Sequence, residues 1–359
     1  MENNTLIIAE AGVNHNGNPD NAFKLIEVAC EAGADIVKFQ TFRAKCLVSK
    51  NASKAEYQQK TTGSHETQFS MLKRLELSEQ IFKELFKHCK KYNVNFLSTA
   101  FDFESLYFLI DNLGLDTLKI ASGELTNAPL LLAHAQSKAK LIVSTGMATL
   151  GEVEAALGIV AFGLIGNNEK PSPDAFMEAY LSLEGQEALK KQVSLLHCTS
   201  EYPAAVSSLN LRVIQTMRCA FGLPVGYSDH SEGIHIPIAA VAIGAKIIEK
   251  HYTLDKAMEG PDHLASLNPE ELMQMVKNIR DIERSLGNGI KIPSAQEQKN
   301  KLVVRKSLVA AKEILQGQTY LENNLTMKRP GNGLSPMKYW ELLGKEAQRN
   351  YQEDELIDG

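Results

Sequence analysis

Eight short runs of apolar residues, separated by segments with helical periodicity, occupy the first two-thirds of the chain. They are Leu6–Glu10, Asp35–Gln40, Val94–Thr99, Thr117–Ser122, Leu141–Thr145, Val193–Thr199, Pro224–His230 and Lys246–His251. A strand with one face in water would alternate apolar and polar residues, whereas continuous apolar runs indicate strands covered on both faces. Because eight strand–helix units are the number that closes a barrel, we predict an α/β fold of the (β/α)8 TIM-barrel type.

Polar and charged residues stand at the carboxyl ends of these runs. They include Glu10, Lys38, Gln40, Lys119, Ser122, His197, His230 and His251. Enzymes with this kind of barrel carry their catalytic groups at the carboxyl ends of the strands. The pattern therefore predicts where an active site lies as well as the fold.

The chain changes character near Leu302, beyond the last predicted barrel helix. Its 359 residues exceed what one barrel needs, and the last part has short apolar runs and Gly/Asn turns. We expect a barrel domain over residues 1–285, a polar linker over 286–301 and a small β-rich domain over 302–359. Within the barrel domain we expect two long connections between strands, Thr41–Leu77 after the second strand and Gly151–Lys191 between the fifth and the sixth. Connections of this length are usually functional or mobile.

The composition argues against several classes of protein. A formal net charge of -5 disfavours nucleic acid as a partner, because nucleic-acid-binding proteins carry basic surfaces. Five scattered cysteines without CxxC spacing disfavour a disulfide framework or structural zinc, and fit a reducing compartment. No run approaches the roughly 20 apolar residues of a membrane-spanning helix, and no basic leader precedes the first strand. We expect a soluble cytoplasmic protein that binds neither nucleic acid nor membrane.

Three histidines lie at or beside predicted strand ends. A single histidine in a strand is more often a satisfied core residue than a ligand, and His197 is interpreted in that way. His230 and His251 end consecutive strands, which lie about 4.8 Å apart in a sheet. Two imidazoles at similar depth could share one metal ion and leave open positions for a substrate.

Two lysines, Lys38 and Lys119, stand inside otherwise apolar strands. A buried lysine must be paired or must serve a ligand, because an unsatisfied buried charge is costly. The candidates are a Schiff-base nucleophile and an anion clamp. The hydroxyls of Ser122, Ser144 and Ser228 and the glycines of "ASGE" and "STGM" favour a phosphate over a carbonyl carbon.

Three carboxylates are placed in or near the predicted mouth of the barrel. Glu10 and Glu124 could accept a proton or orient a sugar hydroxyl, although helix capping or ion pairing would explain them equally well. Asp262, in "GPDH", follows the last strand, and taken alone it is most simply an ordinary turn aspartate.

Nine motifs occur in the order found in the N-acetylneuraminate (sialic acid) synthase family, which the chain resembles over nearly its whole length. They are "AEAGVNHNG", "VKFQTF", "KIASGE", "STGMAT", "LLHCTSEYP", "GYSDHS", "IEKH", "GPDH" and "KRPGNG". The C-terminal part is similar to the antifreeze-like (SAF) domain of that family. The resemblance implies condensation of phosphoenolpyruvate with an open-chain N-acetylmannosamine-type sugar, with release of phosphate.

The resemblance also implies roles for individual residues. Phosphoenolpyruvate binding falls to Lys38, Lys119, Ser122, Ser144, Ser200 and Ser228. Sugar binding falls to Gln40, Glu124, Tyr202, Asp262 and Arg329. His230 and His251 hold a divalent metal ion, Mn²⁺ or Mg²⁺, and Glu10 is the essential strand-one glutamate. Arg329 would reach the sugar's acyl-amino group in the barrel of a partner subunit, which implies a domain-swapped homodimer.

Two positions depart from the family pattern. Ser200 stands where some members have asparagine, which puts the phosphate contact there in doubt. Phe39 replaces the histidine of some sialic acid synthases.

The leading hypothesis is a metal-dependent transferase that makes N-acetylneuraminate or a related nine-carbon sugar acid. The alternative acceptor is a dideoxy-diacetamido hexose, which would give legionaminate or pseudaminate. A Schiff-base aldolase that uses Lys38 or Lys119, and a non-catalytic carbohydrate-binding protein, are the further alternatives.

Overall fold

A computed structural model describes residues 4–55, 58–59, 62–63, 66–166 and 169–358. The chain divides into two compact units, Met1–Gly287 and Asn288–Gly359. Parts of the two long connections predicted at Thr41–Leu77 and Gly151–Lys191 lie outside the described residues, as do the first three residues and the last residue of the predicted domains.

Eight parallel strands close into a barrel in the first unit, in the order β1 to β8. Their bounds are β1 Leu6–Gly12, β2 Ile36–Thr41, β3 Asn95–Ala100, β4 Thr117–Ile120, β5 Lys140–Ser144, β6 Val193–Cys198, β7 Val225–Asp229 and β8 Ile247–His251. Each strand lies within one of the predicted runs or within two residues of it. The predicted TIM-barrel fold is confirmed.

Helices follow the strands around this barrel. Their bounds are α1 Pro19–Glu31, α2 Ala44–Leu47, α3 Gln68–Leu75, α4 Glu79–Lys91, α5 Phe103–Tyr107, α6 Ala128–Gln136, α7 Leu150–Ile165, α8 Pro173–Leu181, α9 Leu183–Gln192, α10 Val213–Phe221, α11 His235–Ala242 and α12 Pro269–Leu286. Local sequence sets several helix ends. Thr149 with Glu152, and Asn268 with Glu271, form reciprocal capping boxes at the starts of α7 and α12.

The connection predicted between β5 and β6 is largely helical. It contains α7, α8 and α9, and α7 ends at Gly166 in the left-handed conformation that glycine adopts without strain. Gly158 on α7 lets α8 approach closely, because a Cβ there would come within 2.9 Å of the carbonyl oxygen of Phe176. This segment therefore packs as part of the helical layer.

Side chains that point into the barrel form two different layers. The inner, apolar layer is made by Ile8, Ile36, Leu97, Ile142, Leu196 and Ile247. Because side chains alternate along a strand, the inward residue two positions further on is the next one toward the carboxyl end. On β1, β2 and β8 these residues are Glu10, Lys38 and Glu249, so a charged layer lies directly on the apolar one.

The second unit has its own small core. It contains α13 Ala295–Val304, α14 Tyr339–Leu342 and the antiparallel strands β9 Ser307–Ala310 and β10 Leu325–Lys328. Leu308, Ile314, Tyr320 and Tyr351 are among its buried residues. Helix α13 lies largely within the stretch that the sequence suggested as a linker.

None of the helices within the described ranges is long and apolar enough to cross a membrane.

Candidate active site

A cavity of about 240 Å³ opens at the carboxyl ends of the barrel strands. Most of the predicted site residues line it. They are Glu10, Lys38, Gln40, Lys119, Ser122, Ser144, Ser200, Tyr202, Ser228, His230 and His251. A larger cavity of about 600 Å³ lies at the opposite end, around strand-starting residues such as Asn95, Thr117 and Lys140. Since barrel chemistry belongs to the carboxyl face, the smaller cavity is the candidate active site.

Four buried charges form the floor of this cavity. The Lys38 ammonium lies 2.9 Å from a Glu10 carboxylate oxygen and 3.3 Å from Glu249. The Lys119 ammonium lies 3.6 Å from the other oxygen of Glu249. All four side chains are at most 5 % exposed. Glu249 contacts both ammonium groups, so the two lysines face the same part of the cavity.

Hydroxyl groups surround the two lysines. Lys119 donates to Ser144 over 2.6 Å, and Lys38 donates to Thr99 over 3.2 Å. Ser228 donates to Glu249 over 2.9 Å. The Ser144 and Thr99 hydroxyls therefore fix the two ammonium groups, and the Ser228 hydroxyl fixes Glu249.

Gly146, in the loop after β5, makes room on this side of the cavity. Its backbone N–H donates to the Ser122 hydroxyl over 3.1 Å. A Cβ at Gly146 would lie 2.5 Å from the Ser200 hydroxyl, 2.8 Å from the Cys198 sulfur and 2.9 Å from the Ser122 hydroxyl. The side chains of Ser122, Cys198 and Ser200 therefore converge where only glycine fits.

The two glutamates have opposite pKa shifts. Burial raises the pKa of Glu10 to about 7, and the nearby Lys38 reduces that rise without cancelling it. Burial acts in the same direction on Glu249, but Lys119, Lys38 and the Ser228 hydroxyl overcome it and lower its pKa to about 2. The surroundings of Glu249 thus favour its ionised form, whereas Glu10 is the carboxylate of the two that is easier to protonate.

The lysines differ as well. Burial lowers the pKa of Lys119, and Lys38 adds to that effect. Burial acts on Lys38 too, but Glu10 and Glu249 outweigh it and raise its pKa.

His230 and His251 lie side by side at the ends of β7 and β8. Their ring centroids are 5.6 Å apart. The Nδ1 atom of His230 bonds to the Thr199 carbonyl over 2.6 Å, which leaves its Nε2 atom as the acceptor. Burial lowers the pKa of His230 to about 4 and that of His251 well below its usual value. Both imidazoles are therefore neutral at pH 7.

These two side chains fit an open metal site. The Nδ1 atom of His251 is buried without a hydrogen-bond partner, as expected of a nitrogen that serves a ligand. Among the residues that the structure describes, no three or more His, Cys, Asp or Glu side chains are grouped to hold a metal ion. A divalent ion here would have two imidazole ligands and would leave its other positions to water and substrate.

Tyr202 and Gln40 border the same space. The Tyr202 ring stacks on His230 with 4.1 Å between centroids, and its hydroxyl lies 3.1 Å from His230 Nε2. The Gln40 amide lies 3.4 Å from Glu10. Both side chains therefore line the cavity beside the histidines and Glu10.

Asp262 is held in a loop that is fastened to the segment after β1. Asn16 donates to the Glu259 carbonyl over 2.8 Å, and its side-chain oxygen lies 3.0 Å from His263 Nε2. His263 Nδ1 lies 2.7 Å from the Thr253 hydroxyl. Burial raises the pKa of Asp262 to about 6. Asp262 is therefore a buried, fixed carboxyl group, unlike an ordinary turn aspartate.

Asp262, Glu124 and His197 are not among the residues that line the cavity, and Arg329 belongs to the other unit. Glu124 ends the 3-10 helix Ser122–Glu124 after β4 and accepts from Asn127 over 2.8 Å. Arg329 belongs to the second unit, in an exposed stretch after β10. His197 lies 2.7 Å through Nε2 from the Leu209 carbonyl, in agreement with its interpretation as a structural residue.

Sequence reasoning missed Glu249, Thr99 and Cys198, all of which line the cavity. Glu249 carried a usable signal, because it is a charge inside the apolar run "KIIEKH", as Lys38 is in "IVKFQ". Thr99 and Cys198 carried none, since hydroxyl and thiol side chains are ordinary in buried strands.

Comparisons with known proteins match both units of the chain. The NeuB family model matches residues 25–291, and the SAF domain model matches residues 305–359. The chain is 52% identical over 353 residues to N,N'-diacetyllegionaminic acid synthase of Campylobacter jejuni, with 98% of each chain covered. It is 44% identical to the protein of the same name from Legionella pneumophila, covering 96% of this chain and 90% of that one. A crystal structure of N-acetylneuraminic acid synthetase from Leptospira borgpetersenii, 35% identical, superposes with a TM-score of 0.67 over 83% of this chain and 90% of that one.

Proposed function

The chain belongs to the NeuB family, and on that premise we propose that it condenses phosphoenolpyruvate with a diacetamido hexose to give N,N'-diacetyllegionaminate and phosphate. This would make it a transferase that forms a C–C bond. The observation that carries the proposal is the pairing, in one cavity, of a two-lysine anion cluster with two neutral imidazoles.

The lysine side suits phosphoenolpyruvate. Lys38 and Lys119 would face its negative charges, with donors from Ser122, Ser144 and Ser228. Charge-assisted hydrogen bonds of this kind are the strong ones, and they add most where water is excluded. Ser200 lies beside Ser122 at Gly146 and would add a hydroxyl group to this side of the cavity, where some members have asparagine.

The histidine side suits the aldehyde of the open-chain sugar. His230 and His251 would hold Mn²⁺ or Mg²⁺, which when bound supplies Lewis-acid polarisation of the aldehyde oxygen. The Thr199 carbonyl sets the tautomer of His230, and Tyr202 packs against its ring. The two substrates would thus be held close together in a reactive orientation, which makes a bimolecular reaction effectively unimolecular.

Glu10 would handle the proton of the water that adds to the substrate. As C3 of phosphoenolpyruvate attacks the aldehyde, positive character develops at C2, and water adds to C2. With a pKa of about 7, Glu10 can take one proton from that water, and this proton is balanced by the one gained by the alkoxide on the former aldehyde oxygen. The second proton, on the new C2 hydroxyl, leaves with phosphate as the bond from C2 to the phosphate oxygen breaks and the 2-keto group forms. Lys38, 2.9 Å from Glu10, would stabilise the ionised carboxylate before it takes up the proton.

The comparisons change the order of preference between the two candidate acceptor sugars. The sequence placed an N-acetylmannosamine-type sugar first and a diacetamido hexose second. The two relatives named above, 52% and 44% identical, are both called N,N'-diacetyllegionaminic acid synthase and support the second choice. A nine-carbon product with two acetamido groups, less three carbons from phosphoenolpyruvate, leaves a six-carbon diacetamido sugar.

Five residues would bind that sugar. They are Gln40, Glu124, Tyr202, Asp262 and Arg329. We propose that Arg329 comes from the SAF domain of a partner subunit, so that the working enzyme is a domain-swapped homodimer. All five cysteines are free thiols, which fits an enzyme that works in the reducing cytoplasm.

The test is a phosphate-release assay with phosphoenolpyruvate, a diacetamido hexose and Mn²⁺, in which omission of any component should stop release. Borohydride with pyruvate serves as the control, because it would label Lys38 or Lys119 in a Schiff-base aldolase. Release without an acceptor, or a borohydride-trapped lysine, would contradict the proposal.

A further inference from the structure

A buried ion pair lies in the barrel wall immediately behind the two histidines. The Lys250 ammonium is 2.6 Å from an Asp229 carboxylate oxygen, and both side chains are 0% exposed. Ser228, His230, Glu249 and His251 line the cavity. Because side chains alternate along a strand, Asp229 and Lys250 point to the other side, toward the helices.

The pair joins the two residues that precede the histidines. Asp229 and Lys250 are register partners on the adjacent strands β7 and β8. Each is followed directly by one of the imidazoles, His230 or His251. The ion pair therefore fixes the relative position of the two backbone segments that carry the proposed metal ligands.

Ser231 extends this link to the other side of His230. Lys250 also donates a short hydrogen bond to the Ser231 carbonyl. Asp229 accepts from the Ser231 backbone N–H over 3.0 Å and from its hydroxyl over 2.7 Å. The two sequence neighbours of His230, Asp229 and Ser231, are thus both bonded to Lys250, which directly precedes His251.

Stability alone is a poor reason to keep such a pair. Buried ion pairs can usually be replaced by apolar residues of similar volume at little cost, because desolvation offsets the attraction. The other helix-facing residues of these two strands, Val225, Tyr227 and Ile248, are apolar or aromatic. A charged pair at this depth is better explained by the geometry it imposes.

We propose that the Asp229–Lys250 pair, together with Ser231, is a positioning device that sets the distance and orientation between His230 and His251 for one divalent ion. His251 depends on it most, since its Nδ1 atom has no hydrogen bond of its own. The inference rests on the proposed function, because it presumes that the two histidines bind the metal.

The test compares Mn²⁺ affinities in the full-length protein, measured by electron paramagnetic resonance of free Mn²⁺ without turnover. D229N/K250M removes both charges, keeps the volumes and leaves an acceptor for the Ser231 N–H. We expect its Kd for Mn²⁺ to rise about 10-fold or more, within the range found when groups that orient metal ligands are removed. The Co²⁺-loaded variant should also show a shifted visible absorption spectrum.

A matched control removes another ion pair of the barrel. Asp35, which directly precedes β2, lies 2.8 Å from Arg280 on α12. The variant D35N/R280M removes both of these charges and should leave the Kd for Mn²⁺ unchanged. An unchanged Kd in folded D229N/K250M would overturn the inference. If that variant does not fold, Ser231→Ala decides, with a Kd raised about threefold in support and an unchanged Kd against.

His230→Ala and His251→Ala separate this inference from the proposed function. If either variant keeps wild-type Mn²⁺ affinity, the metal site itself is wrong. If both lose Mn²⁺ while D229N/K250M keeps it, only the positioning role fails.

Discussion

Lys119→Met tests the anion side of the site. The Lys119 ammonium group donates to the Ser144 hydroxyl over 2.6 Å and lies 3.6 Å from Glu249. Because the side chain is buried, bulk water would not take the place of a missing ammonium group. A hydrogen bond to a charged group contributes about 1.5–3 kcal/mol. At about 1.4 kcal/mol per decade, its loss should weaken phosphoenolpyruvate binding about 10- to 150-fold.

The fold should tolerate this change. Methionine fills the space of the lysine stem, and Glu249 keeps Lys38 at 3.3 Å and the Ser228 hydroxyl at 2.9 Å. We therefore expect the midpoint of thermal unfolding to stay close to the wild-type value while the affinity for phosphoenolpyruvate falls.

The assay is steady-state phosphate release at saturating acceptor, supported by calorimetric titration with phosphoenolpyruvate. The matched control is Lys140→Met, because Lys140 is an exposed residue at the amino end of β5 and lies far from the cavity. A KM and Kd for phosphoenolpyruvate that are unchanged in folded Lys119→Met would refute the anion-clamp reasoning.

Three further predictions concern proton transfer by Glu10, the space at Gly146 and the role of Arg329. Because Glu10 must be ionised to accept a proton, kcat should fall as pH drops through about 7, and residual activity of Glu10→Gln should lack that limb; a wild-type rate flat from pH 6 to 8 would count against Glu10 as the base. Gly146→Ala should raise the KM for phosphoenolpyruvate, since the added Cβ would meet the Ser200 hydroxyl at 2.5 Å, and a wild-type KM would show that this side does not bind substrate. Arg329→Ala should raise the KM for the sugar and leave that for phosphoenolpyruvate unchanged, and the reverse pattern would contradict its sugar-binding role.

The barrel was predictable because burial on both faces leaves a strong trace in sequence. Runs such as "LIIAE" and "IVKFQ" are typical of parallel strands covered on both faces, and eight of them separated by helical segments is the number that closes a barrel. The same logic located Lys38 and Lys119, since a charge in such a run needs a partner.

The partners themselves needed the structure. Which carboxylate meets which lysine depends on strand register, and Glu249 meets both only because β8 closes the barrel against β1. Asp262 likewise looked like a turn residue from the sequence alone. Its loop is held by hydrogen bonds to Asn16, which is more than 240 residues away in sequence. Long-range contacts of this kind leave no local pattern.

The proposed reaction and its acceptor are tested together by kcat/KM for a diacetamido hexose and for N-acetylmannosamine, measured on one preparation with phosphoenolpyruvate and Mn²⁺. We expect phosphate release when both substrates are present, and a clear preference for the diacetamido sugar. A preference for N-acetylmannosamine would contradict the proposed acceptor, and no release with either sugar would contradict the proposed reaction.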